Sequence, residues 1–247
     1  MHEILLWFLI SLFGIVAGVL SGVLGFGSSV IMLPIIIYAF GTKAAVPIMA
    51  VSALLANSTR VAIWLKEIKW MAVFSFAITA VPAAYFGART LIVLDSAIVD
   101  IVLGVFFVSI VGFRRFLGSK AFQIKDVHMA VAGLFLGFLT GIVASTGPIN
   151  SPFFLWYGLT KGAYIGTEAA ASLLVYLTKV STFSLLQFLS LEHFMYGVLV
   201  GLSLVVGSYI SKFFVQRVDP KWFRLFIEFA LVLVGASMIL KGALNLF

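Results

Sequence analysis

The sequence predicts an all-α polytopic membrane protein made of two inverted-topology repeats, each with a broken helical segment plus three spanning helices. Three observations carry this: an extreme apolar composition, two interrupted apolar segments, and self-similarity at a shift of 119 residues. The 247 residues are 63% hydrophobic and 10% charged, with a mean hydropathy of +1.20. A soluble domain is about 45–50% apolar and about 25% charged. The excess is too large for a soluble core, which excludes a soluble enzyme, a nucleic-acid-binding module and a disordered chain. The net charge of +7 then reads as loop Lys and Arg that orient the spans. No cysteine is present, so disulfides, thiolate metal sites and cysteine catalysis are excluded. No cofactor or metal is expected. Met1-His2-Glu3 lacks a basic region and no small-residue cleavage site follows, so the first apolar run is expected to be retained.

The apolar runs are Ile4–Leu20, Val30–Phe40, Ala44–Leu65, Trp70–Gly87, Ile98–Phe113, Val127–Val143, Phe153–Leu159, Gly162–Leu189, Phe194–Ile210 and Trp222–Leu246. A full span takes about 20 residues. Val30–Phe40 and Phe153–Leu159 fall short of that. Each follows a longer run across a helix-breaking stretch, Ser21 to Ser29 in the first half and Ser145 to Pro152 in the second. The runs are too long, and period-2 alternation too absent, for a β-barrel.

At the 119-residue shift Gly14, Gly18 and Gly22 fall on Gly133, Gly137 and Gly141, Ser21 on Thr140, and Thr59-Arg60 on Thr178-Lys179. A shift of 118 pairs Pro34 with Pro152 and Thr42-Lys43 with Thr160-Lys161. Glycines recur on packed membrane helices without any duplication. The polar pairs recur in register with the breaks, and they mark a duplication. The expected organisation is residues 1–117 as the first repeat, a basic linker at 118–126, and 127–247 as the second repeat.

Charge decides between parallel and inverted repeats. Arg60 and Lys179 lie within spans, leaving fourteen of the sixteen basic residues. Parallel repeats divide these seven against seven. Inverted repeats put eleven on one side and leave only Lys43, Arg89 and Lys241 on the other, the asymmetry of positive-inside insertion. Both termini are therefore expected outside and the Arg114–Lys125 linker in the cytoplasm. The broken segments read either as re-entrant hairpins or as paired short spans.

Broken helices at membrane depth need a protein-lined or wet cavity, because backbone polar groups cannot stay unsatisfied in hydrocarbon. In inverted-repeat transporters the half-helix N-termini at such breaks point at anionic groups. Asn150-Ser151-Pro152 reads as a helix start, a polar cap followed by proline. Ser28 and Ser29 do the same in the first half, with Gly25 and Gly27 permitting close backbone approach. The candidate anion site is therefore Gly25, Gly27, Ser28, Ser29, Thr146, Gly147, Asn150 and Ser151, with Arg60 and Lys179 supplying attraction. The alternative is a pair of kinked helices with no ligand.

Arg60 also has a snorkelling alternative, since Lys66 is six residues on, about 9 Å along a helix. Lys179 is deeper. Glu168 has no acidic counterpart in the first half and is the candidate carrier of a coupling proton. Its alternatives are a place near a helix end or a salt bridge. Asn57, Ser58, Thr59 and Thr178 are candidate cavity-lining residues, with interhelical hydrogen bonding as the alternative. Glu228 follows Arg224 by four residues and reads as a surface ion pair. His128 and His193 border loops and read as solvated.

The pattern is carried by Gly18-Val19-Leu20-Ser21-Gly22-Val23-Leu24-Gly25-Phe26-Gly27-Ser28-Ser29 with Pro34, by its counterpart from Gly137 through Pro152, and by Gly166-Thr167-Glu168-Ala169. In these residues, and over nearly its whole length, the chain resembles the sulfite exporter TauE/SafE family of small-anion permeases. The resemblance implies carriage of sulfite, sulfonates, other sulfur oxyanions or organic acid anions across the bacterial cytoplasmic membrane. The family's first break is commonly more glycine-rich than Gly27-Ser28-Ser29, so the added hydroxyls bear on the substrate. The expectation is a secondary transporter working by rocking of two repeats, with a small anion and the lipid bilayer as partners, no nucleic acid, and a monomer or homodimer. A passive anion channel, a membrane-embedded enzyme and a non-transporting scaffold subunit are the competing classes. No nucleotide-binding signature is present.

Overall fold

The computed structural model describes residues 2–24, 28–117, 123–143, 146–211, 232–233 and 235–245. Gly25 and Gly27, the Arg224–Glu228 pair and most of the linker lie outside these residues. All regular structure among the described residues is helical: α1 (His2–Leu24), α2 (Ser28–Phe40), α3 (Thr42–Trp64), α4 (Trp70–Val93), α5 (Ser96–Leu117), α6 (Asp126–Ile142), α7 (Gly147–Trp156), α8 (Lys161–Leu185) and α9 (Leu191–Ser211), with a 3-10 turn at Leu65–Glu67 and further helix over 235–245. Among them, Thr42–Glu67, Trp70–Val93 and Leu191–Ser211 are long and apolar enough to cross a membrane. The protein is an all-α, multi-pass membrane protein.

Small residues set which helices touch, because interhelical packing in a bilayer depends on close van der Waals approach. A Cβ on Gly18 of α1 would lie 2.4 Å from the Leu204 carbonyl oxygen of α9, and one on Gly22 would meet Ser211. Gly14 faces Ser203, so α1 and α9 run parallel. The same arrangement recurs in α6 and α4: Gly133 faces Phe76, Gly137 lies against Ala80, and Gly141 against Ala84. Gly197 and Gly201 of α9 meet Val51 and Leu55 of α3, again in parallel.

By contrast, Trp64 of α3 covers Gly162 and Gly166 of α8 while Arg60 reaches Glu168, so these two helices run antiparallel. In α5 and the last helical stretch, Gly104 lies against Gly235 and Ala97 against Gly242, which is also antiparallel. The result is two mixed bundles, α1, α3 and α9 on one side and α4, α6 and α8 on the other, joined along α3 and α8. The core runs through both, with Phe76, Phe154 and Phe183 among its largest fully buried side chains. Phe76 and Phe154 also place α7 against α4, with ring centroids 5.5 Å apart.

Candidate functional site

Helix α6 stops at Ile142, and Val143 turns extended, with φ −91° and ψ 161°. The last carbonyls of any helix have no partner within it. Here a side chain from α8 supplies one. Lys179 is 0% exposed, and its Nζ donates to the Thr140 carbonyl at 2.7 Å and the Val143 carbonyl at 2.6 Å. A cation at a helix C-terminus also complements the macrodipole. The Thr140 and Thr146 hydroxyls bond to each other across the break. The Phe183 ring centroid lies 5.5 Å from the ammonium.

The new helix begins earlier than Asn150-Ser151-Pro152 suggested. Helix α7 starts at Gly147, with Thr146 as N-cap and Pro148 in the first two positions. Of two available prolines the fold uses the earlier, whose missing N–H falls where no intrahelical partner exists. Asn150 and Ser151 therefore lie inside the first turns. This also changes which groups can donate. Pro148 has no N–H, and the amides of Ile149 and Asn150 donate to the Thr146 carbonyl at 2.8 and 2.9 Å. Hydrogen bonding at this break falls to side chains more than to backbone.

Those side chains are buried. Ser151 is 3% exposed, donates to the Gly147 carbonyl at 2.7 Å, and accepts from the Tyr164 hydroxyl at 2.7 Å. Asn150 is buried, and its Oδ1 has no hydrogen-bond partner among the described residues. In the first half α2 begins at Ser28, and both Ser28 and Ser29 are buried. Ser21, the counterpart of Thr140, is also buried, with no partner for its hydroxyl among the described residues.

Arg60 does not snorkel. It is 5% exposed and lies 3.5 Å from Glu168 Oε2, while its other terminal nitrogen donates to Asn57 Oδ1. Asn57 in turn donates to the Ala53 carbonyl at 2.8 Å. Glu168 is 1% exposed and accepts from the Ser172 hydroxyl at 2.8 Å. The alternative of a salt bridge is thus the one the fold adopts for Glu168. Two isolated buried charges are far costlier than a paired, hydrogen-bonded couple. Thr59 and Thr178 bond back to the carbonyls of Leu55 and Leu174, four residues earlier, both at 3.0 Å, and Ser58 is exposed.

Sequence reasoning missed Tyr164, Ser172 and Asp100. The first two lie one turn either side of Glu168. Tyr164, Glu168, Ser172 and Lys179 fall on one face of α8, a polar stripe about 22 Å long. The four-residue spacing around Glu168 was the available signal. Asp100 is 2% exposed although it sits in the apolar run of α5. His193 is partly buried and His128 is exposed.

The family model described as Sulfite exporter TauE/SafE matches residues 10–238 of the 247. The chain matches no curated protein and no solved structure.

Proposed function

Because the chain belongs to the sulfite exporter TauE/SafE family, a family of membrane transporters, we propose that it is a secondary permease for a small anion, a sulfur oxyanion, sulfonate or organic acid anion. The anion sits between the two helix breaks. Ser28, Ser29 and Asn150 donate to it, Thr146 and Ser151 donate once their hydroxyls turn from their present partners, Gly25, Gly27 and Gly147 let it approach the backbone, and Asn57, Ser58, Thr59 and Thr178 lie within one turn of the two cations. The observation that carries this reading is the second break, where a fully buried ammonium and several buried hydroxyl and amide groups converge on interrupted backbone. Polar groups this dense at membrane depth are expensive unless they line a path.

In this reading Lys179 acts through α6, holding the broken end and keeping the pocket positive. Arg60 is balanced by Glu168, and protonation of Glu168 releases it, which couples proton movement to anion binding. Alternating access between two inverted repeats is supported by the opposite directions of α3 and α8 and by the matched pairings of α1 with α9 and α6 with α4. The charge distribution supports both termini outside and the linker of 118–126 in the cytoplasm, the self-similarity supports repeats at 1–117 and 127–247, and the family resemblance implies the bacterial inner membrane.

The test is reconstitution into liposomes with labelled sulfite, thiosulfate, sulfonates and carboxylates, with and without a pH gradient. Saturable uptake of at least one anion is expected, lost in Ser151→Ala, and independent of the pH gradient in Glu168→Gln. Uptake that rises linearly with concentration points instead to a passive channel. No uptake of any of them sinks the permease.

A further inference from the structure

Away from the breaks, at the junction of α2 and α3, lies a cavity of about 510 Å³. Its lining carries two chemistries. Phe40, Ala44 and Phe188 are apolar. Lys43, Lys241, His193 and Asn245 are polar. Asp100 also lines it, with both oxygens engaged: Oδ1 accepts from the Thr42 hydroxyl, and Oδ2 lies 3.4 Å from Lys241 Nζ.

The charge count at this place is unusual. By the charge asymmetry above, only three loop cations occupy the sparse face of the protein, and two of them, Lys43 and Lys241, converge here. Lys43 has no hydrogen-bond or ion-pair partner among the described residues, and neither has His193 Nδ1. Lys241 spends one of its three N–H groups on Asp100, leaving two. Asp100 is already neutralised within the wall, so the cavity keeps an excess positive charge and uncommitted donors.

Volume separates the possible occupants. Cavities of about 300–1,000 Å³ suit organic molecules with carbon skeletons, not bare triatomic or tetratomic oxyanions. The geometry points to a docking site for an organic anion, a sulfonate or carboxylate whose head group meets Lys43 and Lys241 and whose apolar part lies on Phe40 and Phe188. This rests on the permease reading and deepens it, because it narrows the substrate class to anions with a carbon skeleton. Helix α2 links the two places directly. It starts with Ser28 at the first break and ends with Phe40 in the cavity wall, about 18 Å along its axis.

The experiment is equilibrium binding of radiolabelled hexanesulfonate to the full-length protein in nanodiscs, which needs no transport. Saturable binding is expected. Lys43→Ala should weaken it about tenfold, Lys43→Arg should restore most of it, and Arg89→Ala, which removes the third sparse-face cation, should leave it unchanged. Phe188→Ala should weaken hexanesulfonate more than it weakens methanesulfonate as competitor, whose single methyl group has little to lay on the ring. Absent saturable binding, or equal losses in Lys43→Ala and Arg89→Ala, overturns the docking site. Binding with this mutational pattern but no anion flux in liposomes leaves the site standing and sinks the permease. Flux with binding indifferent to Lys43 and Phe188 does the reverse.

Discussion

Arg60 on α3 and Glu168 on α8 meet 3.5 Å apart at the crossing where the two mixed bundles join, each almost wholly withdrawn from solvent. Removing one partner leaves the other charged and uncompensated, which costs about 3–5 kcal/mol. Glu168→Gln alone should therefore lower the unfolding temperature in detergent substantially. Arg60→Gln with Glu168→Gln should lose much less than the two single changes summed. Additive losses would mean that the pair contributes no mutual interaction.

Lys179→Met retains much of the side-chain volume but strips the Thr140 and Val143 carbonyls of their donor. Each abandoned buried group costs about 1–3 kcal/mol. Amide exchange at residues 139–143 should accelerate while the far end of α6 stays protected. Uniform acceleration along α6 would mean that Lys179 supports the whole helix and not its broken end.

Close backbone contact between α6 and α4 can be tested by adding one methyl group. A Cβ on Gly137 would fall 2.4 Å from the Ala80 carbonyl oxygen and 2.5 Å from Ala80 Cα, both backbone atoms that cannot rotate away. Gly137→Ala should cost about 1–3 kcal/mol. Gly112→Ala, in α5 with nothing within 4 Å among the described residues, should be neutral or slightly stabilising, since alanine is the better helix former. Thermal unfolding of the two variants side by side checks this.

Just past the end of α7, the Tyr157 hydroxyl donates to Asp126 Oδ1 at 2.6 Å. That bond, with partial burial and the carboxylate's charge, pushes the phenol up to about 12. An unfolded tyrosine ionises near 10. The folded value is raised, so the contribution is complete below about pH 10 and is lost as pH rises through about 12. Phenolate absorbance should show a late-titrating tyrosine that disappears in Tyr157→Phe. An unchanged titration in that variant would place the late group elsewhere.

Composition and run length were enough to read an all-helical membrane protein, because the bilayer leaves so few alternatives. The breaks were legible from Gly, Ser and Pro, yet the start of α7 was misplaced. Two prolines four residues apart both suit a first turn, and only packing chooses Pro148. The depth of Arg60 was ambiguous for a related reason. Distance along a helix says how far a side chain must reach, not what stands beside it, and Glu168 is 108 positions away in the chain. Tyr164 and Ser172 were readable once Glu168 was chosen, through their four-residue spacing. Asp100 stood out as an acid inside the apolar run Ile98–Phe113, but its partners Thr42 and Lys241 are too distant in the chain to be read from spacing.

The crossed pairing, in which the opening helix of each half rests on the fourth helix of the other, means that neither half is a module. Severing the polypeptide between 117 and 126 should yield two fragments that each misfold when expressed singly. Coexpressed, they should reassemble into a working whole, since the most extensive helix pairings, α4 with α6, α1 with α9 and α3 with α9, are supplied in trans.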